Sequence, residues 1–413
     1  MLLVKNIAKI VGIDESGRSR VEGSAMSHLG SLSNAWLRTD GDRIDAYGTM
    51  DSLPDTHAEV IDAAGGMLFP SWCDSHTHLV YAGSREGEFA DRIAGLSYED
   101  IARRGGGILN SADLLHNTTE EELYRTATER ARRIAMTGTG AVEIKSGYGL
   151  SLADELKILR VIRRLRDTVP LTVRATFLGA HAVGRAFQGR QDDYVDHIIR
   201  DMIPAVADEG LADYIDVFCD EGFFTVAQTA RMLEAAARHG LAPKIHANEM
   251  AVSGGVQVGV EHSALSVDHL ERIGDAEITA LLGSNTMPTL LPGAAFFLGL
   301  PYPPARKMIG AGLGVALASD YNPGSSPSGD MKFVVSLACI AMRMTAAEAI
   351  NAATLNGAYA MGLSGECGSI TVGKIANMFI TSPIPSVEYL PYAYTTPLIR
   401  HTILRGQRVC FGA

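Results

Sequence analysis

Apolar runs that resemble buried strands recur through the middle of the chain and alternate with segments of helical spacing. The runs are rich in Val, Ile, Leu and Ala and lack strict apolar–polar alternation, which is typical of strands buried on both faces of a parallel sheet. Eight βα units in a row favour a closed (β/α)8 barrel of the TIM type. A doubly wound open sheet is the alternative, although no G-x-G-x-x-G motif follows the first run. The predicted strands are Met67–Asp74, Gly140–Lys145, Leu171–Leu178, Tyr214–Cys219, Ala242–Ile245, Ala264–Val267, Asn285–Leu290 and Gly314–Ala318.

The segments between these runs carry signals for the start of a helix. Thr119, Thr225 and Thr345 are each followed three residues later by Glu or Gln, as in a capping box. Thr118 with Glu121 is an overlapping candidate for the same helix start as Thr119. These signals support helices between the predicted strands.

The two ends of the chain have a different pattern, with short alternating runs and glycine turns. Examples are Gly41–Gly48 near the N-terminus and Gly368–Lys374 near the C-terminus, which predict short antiparallel strands. Because chain termini often lie close together, we expect both ends to form one small composite β domain. The predicted division assigns residues 1–66 and 366–413 to this domain and residues 67–365 to the barrel.

Charge and composition exclude several classes of partner. The 36 Lys and Arg against 47 Asp and Glu give a net charge of −11, which argues against nucleic acid or an anionic membrane. No stretch of about 18 apolar residues predicts a transmembrane span, and the N-terminus lacks the features of a signal peptide. The five cysteines are scattered without a C-x-x-C pair, which indicates a reducing compartment. We therefore expect a cytoplasmic protein that acts on a small molecule.

Side chains suited to metal or acid–base chemistry follow the predicted strands. Chemistry in a (β/α)8 barrel takes place at the C-terminal ends of its strands. His76 and His78 are two residues apart, so in a strand they point to the same face and can hold one metal ion. The candidates at later strand ends are Glu143, Tyr148, His181, His246, Glu249, His269 and Asp320.

Three histidines and one carboxylate of this set suit an open catalytic metal site rather than a closed structural one. A bound divalent metal lowers the pKa of its water toward about 7 and so supplies hydroxide at neutral pH. Glu249 is placed to shuttle protons, and His269 to stabilise a developing oxyanion or the attacking water. The segment Ile215–Asp220 has no lysine that could bridge two ions, which favours a single ion.

Several motifs make the chain resemble a known enzyme family over nearly its whole length. The metal motif Asp74–Val80 resembles that of the amidohydrolase superfamily. The segments Gly83–Glu86, Glu143–Leu150 and Asp320–Pro327 resemble, more narrowly, the imidazolonepropionases of histidine breakdown. Further matching segments are Gly105–Ile108, Gly179–Ala182, Leu265–Leu270 and Leu291–Gly293.

The resemblance implies a metal-dependent hydrolase that opens the ring of 4-imidazolone-5-propanoate with water and yields N-formimidoyl-L-glutamate. It also implies one zinc or iron ion per chain and a homodimer. Arg85 would clamp the propionate carboxylate with its planar guanidinium, and Glu249 would contact a ring nitrogen. Catalytic roles fall to Glu249, His269 and Asp320. The implied metal ligands are His76, His78, His246 and Asp320, and the other implied substrate contacts are Tyr148, His181, Asn322, Gly324 and Ser325.

Two other functions remain open from the sequence. Another mononuclear amidohydrolase, such as a purine or pyrimidine aminohydrolase, would share the metal ligands but would not need Arg85 or the turn at Ser325. A non-catalytic paralogue could use the barrel as an interaction scaffold, although a scaffold has no reason to keep an open metal site. The metal content of the purified protein distinguishes the scaffold from both enzymes.

Overall fold

Two eight-stranded β-sheets form the framework of the computed structural model, which describes residues 1–55, 57–96 and 106–410. Gly105 of the predicted glycine motif lies outside these residues. The strands, β1 to β16 in chain order, are Leu2–Ile13, Gly30–Asp40, Arg43–Thr49, Glu59–Asp62, Met67–Pro70, Trp72–Thr77, Thr139–Lys145, Thr172–Ala180, Tyr214–Cys219, Ala242–Ala247, Ser266–His269, Met287–Leu290, Ala316–Leu317, Met378–Thr381, Ile399–Leu404 and Gln407–Arg408.

Helices follow most strands of the second sheet and cover its outer face. The α-helices are Glu86–Ile93, Ile108–His116, Glu120–Met136, Leu152–Thr168, Gln191–His197, Ile203–Asp208, Val226–Ala237, Gly255–Glu261, Asp275–Leu281, Pro292–Leu298, Ala305–Gly310, Met331–Ile340, Ala346–Ala353, Leu355–Tyr359 and Tyr389–Tyr392. Short 3-10 segments lie at Gly23–Ser27, Met50–Ser52 and Arg185–Phe187, and one π-helical turn lies at Ile198–Met202.

The larger sheet is a parallel barrel. Strands β6 to β13 pair in chain order, and every pairing is parallel. The two ends of this sheet meet beyond the short strand β13, where Thr77 and Tyr321 form a parallel bridge. There the His78 amide donates to the Tyr321 carbonyl at 3.0 Å, and the Asp320 amide donates to the His76 carbonyl at 3.0 Å. The predicted (β/α)8 barrel is confirmed, and its closure joins the first and last strand ends.

The smaller sheet contains strands from both ends of the chain. Strand β1 pairs with β2 antiparallel and with β4 and β5 in parallel, while β5 pairs with the C-terminal strand β14. The predicted composite β domain is therefore confirmed, but the strand predicted within Gly368–Lys374 is wrong, because this segment contributes only an isolated parallel bridge between Ile370 and Ile13. Aromatic rings connect it to the barrel, because Phe379 of β14 stacks on Phe69 with ring centroids 5.2 Å apart and lies 4.8 Å from the Trp72 ring of β6.

The first predicted barrel strand, Met67–Asp74, is wrong as a single element. Its first half, Met67–Pro70, pairs within the smaller sheet, and the chain enters the barrel at Trp72–Thr77. Residues 67–77 are all buried, so the apolar run continues across the change of sheet and carries no mark of it. The predicted division between the two domains at residue 67 remains a prediction. The strand Met67–Pro70, which follows this division, belongs to the smaller sheet.

Helix starts follow the predicted caps with one exception. Thr225 and Thr345 form full capping boxes with Gln228 and Glu348. Thr119 caps its helix by accepting from the Glu122 amide, whereas Thr118 donates back to a carbonyl of the preceding turn and caps nothing. Among the described residues, no helix combines the length and the apolar character needed to cross a bilayer.

Candidate active site

A cavity of about 350 Å³ opens at the C-terminal ends of the barrel strands. It brings together side chains that are far apart in sequence, and almost every predicted site residue lines it. The exceptions are Glu143, which is fully buried and pairs with Lys145 and Lys244, and His76, which lies beneath the cavity and packs its ring against His246 at a centroid distance of 4.4 Å. The predicted residues that line the cavity are His78, Arg85, Tyr148, His181, His246, Glu249, His269, Asp320, Asn322, Gly324 and Ser325.

Two groups of donor atoms converge at the floor of the cavity. His76, His78 and Asp320 form one group, and His76, His246 and His269 form the other, with the atoms of each group within 4.8 Å of one another. The Nε2 atoms of His76 and His78 each lie 3.6 Å from Asp320 Oδ1. All five side chains are buried, and His76 belongs to both groups.

In each candidate ligand histidine, Nδ1, the ring nitrogen that does not face the cavity donors, lies close to an oxygen atom. His76 Nδ1 lies 2.7 Å from Asp268 Oδ2, and His246 Nδ1 lies 3.0 Å from Asp216 Oδ2. His78 Nδ1 lies 3.4 Å from the Ser146 carbonyl oxygen. For His76 and His78 the acceptor at Nδ1 fixes the tautomer with Nε2 free to bind a metal, which is how ligating histidines are usually oriented, while His246 Nδ1 has the contact with Asp216 without hydrogen-bond geometry.

Donor chemistry and spacing at this point suit a metal ion. His76 Nε2 is buried and has no hydrogen-bond partner among the described residues. Burial lowers the pKa of both His76 and His78, which keeps their imidazoles neutral as ligands require. Bonds of about 2.0–2.1 Å in a tetrahedral site separate ligand atoms by roughly 3.4 Å, close to the 3.6 Å between each Nε2 and Asp320 Oδ1. The residues present therefore fit a zinc-like or iron-like ion.

A second titratable pair borders the donors. His269 Nε2 lies 3.6 Å from Glu249 Oε2, and His269 Nδ1 lies 3.7 Å from Glu271 Oε2. Burial alone would lower the pKa of His269, but the negative charges of Glu249 and Glu271 outweigh burial and raise it. Burial raises the pKa of Glu249 to about 7, so this carboxyl titrates near neutral pH.

Asp320 is held by the turn that follows it. Its φ of +53° lies in the left-handed region, which is costly for a residue with a Cβ and is found where a site needs a fixed direction. Ser325 Oγ donates to Asp320 Oδ2 at 3.0 Å. Asn322 Oδ1 accepts the amides of Gly324 and Ser325, so the Asn322 side chain is built into the turn. The turn therefore orients Asp320 besides lining the cavity.

Arg85 already has an anionic partner inside the protein. Its Nε and Nη2 donate to Glu88 Oε2 at 2.9 and 2.5 Å, and Glu88 Oε1 accepts the Gly107 amide at 3.0 Å. A Cβ at Gly324 would collide with Arg85 Nη1, so glycine lets the guanidinium approach the turn. Arg92 lies on the same wall and donates to the Gly324 carbonyl at 3.2 Å.

Tyr148 and His181 form the wall beside His78. The His181 ring stacks on the His78 ring at 5.1 Å and an interplanar angle of 15°, and the Tyr148 ring lies 5.4 Å from His181. His181 Nδ1 lies 3.0 Å from the Gly147 carbonyl oxygen. Burial lowers the pKa of His181 to about 3, so its imidazole is neutral and its Nε2 can accept a hydrogen bond.

Buried carboxylates that were not predicted hold the loops of the site. Glu155 accepts the amides of Gly147, Gly149 and Leu150 and so fixes the loop that carries Tyr148. Asp220 accepts the amides of Glu249, Met250 and Ala251. Glu155 had a local signal in the sequence, because it lies within the first helical turn after that loop. Other unpredicted residues around the cavity are Glu88, Arg92, Leu96, Ile108, Phe218, Phe223, Met250, Leu298 and Leu300.

Known proteins resemble the chain in both sequence and fold. The model of the amidohydrolase family matches residues 67–409. An imidazolonepropionase from Christiangramia forsetii is 54% identical over 99% of this chain and 100% of its own length. An imidazolonepropionase from Flavobacterium johnsoniae is 52% identical over 98% of this chain and 99% of its own.

Solved structures of more distant proteins share the fold. An atrazine chlorohydrolase from Arthrobacter aurescens, complexed with zinc, has a TM-score of 0.72 at 15% identity and covers 99% of this chain and 95% of its own. An adenosine deaminase from Xanthomonas campestris with bound zinc has a TM-score of 0.70 at 16% identity, with 98% and 92% covered. These two likenesses concern the fold alone. By its family match and its near-full-length relatives, the chain belongs to the amidohydrolase family and, within it, to the imidazolonepropionases.

Proposed function

We propose that the protein hydrolyses 4-imidazolone-5-propanoate to N-formimidoyl-L-glutamate, a step of histidine catabolism. The observation that carries this proposal is the presence of two chemically different halves in one cavity. One half is a converging set of imidazole and carboxylate donors, and the other contains the guanidinium of Arg85. A cyclic amide with a carboxylate tail matches both halves, and the names of the close relatives agree with it.

We assign His76, His78, His246 and Asp320 as ligands of one zinc or iron ion per chain. Such an ion would supply Lewis acidity to a water molecule and to the ring carbonyl at neutral pH. The protein's part is to aim the imidazoles, which the oxygen atoms that face their Nδ1 atoms support, and to keep those of His76 and His78 neutral by burial. We infer a mononuclear site because Asp216, and no lysine, points to the cavity floor from β9.

Substrate binding follows from the charges around the cavity. Arg85, which lines the cavity, would bind the propionate carboxylate through its guanidinium, since a planar guanidinium can bind two carboxylates at different edges. Tyr148 and neutral His181 would hold the ring and the start of the tail. We place the carboxylate oxygens of substrate or product near the turn formed by Asn322, Gly324 and Ser325, which also lines the cavity.

Proton movement completes the proposed reaction. Water adds to the ring carbonyl carbon, the bond from this carbon to the ring nitrogen breaks, and that nitrogen takes up a proton. His269 is suited to stabilise the negative charge on the oxygen, because the neighbouring carboxylates favour its protonated form. Glu249 would contact the ring nitrogen and either deliver its proton or only position the ring.

Two further proposals concern the protein in the cell. The family resemblance supports a homodimer, and the scattered free cysteines support a cytoplasmic location. The cysteines pair in no disulfide among residues 1–55, 57–96 and 106–410. Size-exclusion chromatography with light scattering tests the oligomeric state.

Incubation of the purified protein with 4-imidazolone-5-propanoate tests the function. We expect the absorbance of the ring to disappear and formimidoylglutamate to form in equal amount. A sample treated with a chelator serves as the control and should be inactive until zinc or iron is added back. Failure of the metal-loaded protein to open this ring, together with turnover of a purine or pyrimidine amine, would favour the aminohydrolase alternative.

A further inference from the structure

A cluster of fully buried charges lies inside the barrel beneath the metal donors. It contains three carboxylates and two ammonium groups, which belong to Glu143, Asp216, Asp268, Lys145 and Lys244. The Lys145 ammonium lies at its centre, 2.6 Å from Glu143 Oε1, 2.7 Å from Asp216 Oδ2 and 3.5 Å from Asp268 Oδ2. Buried charges are costly unless paired, so this arrangement needs a structural or functional reason.

Two of the carboxylates that Lys145 contacts also face the candidate metal ligands. Asp268 Oδ2 lies 2.7 Å from His76 Nδ1, and the same oxygen lies 3.5 Å from Lys145 Nζ. Asp216 Oδ2 lies 3.0 Å from His246 Nδ1 and also accepts from Lys145. One ammonium group thus contacts two carboxylates, each of which faces the imidazole of a different candidate ligand.

We infer that Lys145 is a positioning residue for the metal site, acting through Asp216 and Asp268 on His246 and His76. This inference rests on the metal site of the proposed function and extends it inward by one layer. Each carboxylate needs a fixed position if its imidazole is to present Nε2 toward a common point. Lys145 supplies that position from the barrel interior, where all three side chains are fully buried and a displaced charge is costly.

Loss of the Lys145 charge leaves three carboxylates facing one another with a single remaining ammonium. Like charges at these separations repel strongly in a buried environment, so Asp216 and Asp268 must move apart or change partners. The imidazoles that depend on them then lose their common orientation. Substitution of groups that orient ligands usually weakens metal binding by about 10- to 100-fold, and we expect an effect in this range.

Lys244 provides a matched control within the same cluster. It is equally buried and pairs with Glu143 Oε2, and it donates to the carbonyls of Ser75 at 3.0 Å and Ala360 at 3.2 Å. Within the described part of the chain it forms no ion pair with Asp216 or Asp268. Its removal therefore disturbs the buried charges without touching the acceptors of His76 and His246.

The test compares Lys145→Met with Lys244→Met and the parent, each stripped of metal and titrated with Zn²⁺ and with Co²⁺ against a chelating dye. We expect Lys145→Met to bind about 10- to 100-fold more weakly and to show an altered visible absorption spectrum with Co²⁺. Lys244→Met should match the parent in both measurements within about twofold. Equal affinities for Lys145→Met and the parent, or equal losses for both variants, would overturn the inference.

A second pair of variants keeps the test decisive if a single substitution prevents folding. Each double variant removes one positive and one negative charge. The first combines Lys145→Met with Glu143→Gln, and the second combines Lys244→Met with Glu143→Gln. The inference again requires weaker metal binding in the first double variant alone. Because the parent's own metal content and turnover are measured alongside, a parent without metal or activity would refute the proposed function instead.

Discussion

The two halves of the cavity are fixed in different ways. On the metal side, His76 and His246 lie on barrel strands, are buried, and face carboxylates from other strands of the barrel. On the opposite side, Arg85 lies between a strand and the short helix Glu86–Ile93, and its partner Glu88 is only three residues away. The comparison teaches that metal binding depends on the register of the whole barrel, whereas carboxylate recognition depends on a local ion pair. The two properties should therefore be separable by mutation.

The largest effect should follow from loss of a donor that both groups share. His76→Ala removes the only side chain common to the two donor groups, so we expect neither bound metal nor measurable turnover. Elemental analysis and the ring-opening assay check both outcomes. A His76→Ala protein that keeps one ion per chain would show that this half is not a metal site.

Glu249, which borders the metal half without belonging to the ligand set, gives the next largest effect if it moves a proton. Glu249→Gln keeps the size of the side chain but removes the base, so turnover should fall by about 10²–10⁴ if Glu249 moves a proton. Because burial raises its pKa, kcat/KM in the parent should then rise with pH as this carboxyl ionises, and the variant should lose that limb. We favour positioning, in which case Gln should function nearly as well and the dependence of kcat/KM on pH should be the same in variant and parent.

His269 provides the complementary measurement on the same pair. If it stabilises charge that appears only in the transition state, His269→Ala should lower kcat more than it raises KM. The variant must first be checked for metal, since His269 also falls within 4.8 Å of the other donors of its group. A nearly inactive Glu249→Gln beside a functional His269→Ala would reverse the assignment of roles.

Arg85 tests the other side of the comparison. Removal of one partner from a hydrogen-bonded charge pair costs about 2–5 kcal/mol, so Arg85→Ala should lower kcat/KM by a factor on the order of a hundred or more. Metal content should stay at the parent's value because no donor atom is altered. Unchanged kinetics with 4-imidazolone-5-propanoate would show that Arg85 does not bind the substrate carboxylate. That result would strengthen the aminohydrolase alternative.

Sequence reasoning succeeded where chemistry follows directly from the ends of buried parallel strands. His76, His246 and Asp320 were predicted to meet because those ends converge in any closed barrel. The acceptors Asp216 and Asp268 were not predicted, because they lie within apolar runs and their partners come from other strands.

Two other features were hidden for different physical reasons. The change of sheet between Met67–Pro70 and Trp72–Thr77 left no trace, because a strand buried in either sheet has the same apolar pattern. The Arg85–Glu88 pair was visible as an i,i+3 spacing, but such spacings are common on solvated helices and carry little weight alone. Its meaning appears only in the folded protein, where the pair lines the same cavity as the metal donors.

The smallest effect should come from substitutions of Glu88. Two variants distinguish the negative charge of Glu88 from its hydrogen-bond support of Arg85. Glu88 holds one edge of the Arg85 guanidinium and also accepts the Gly107 amide, so Glu88→Ala removes two supports. A lost hydrogen bond of roughly 1 kcal/mol predicts a rise of about fivefold in KM, with kcat and metal content unchanged. Glu88→Gln retains an acceptor oxygen and removes a negative charge close to the substrate carboxylate, so its KM should stay near or fall below the parent's value. A larger rise in KM for Gln than for Ala would mean that the charge of Glu88, and not its support of Arg85, serves substrate binding.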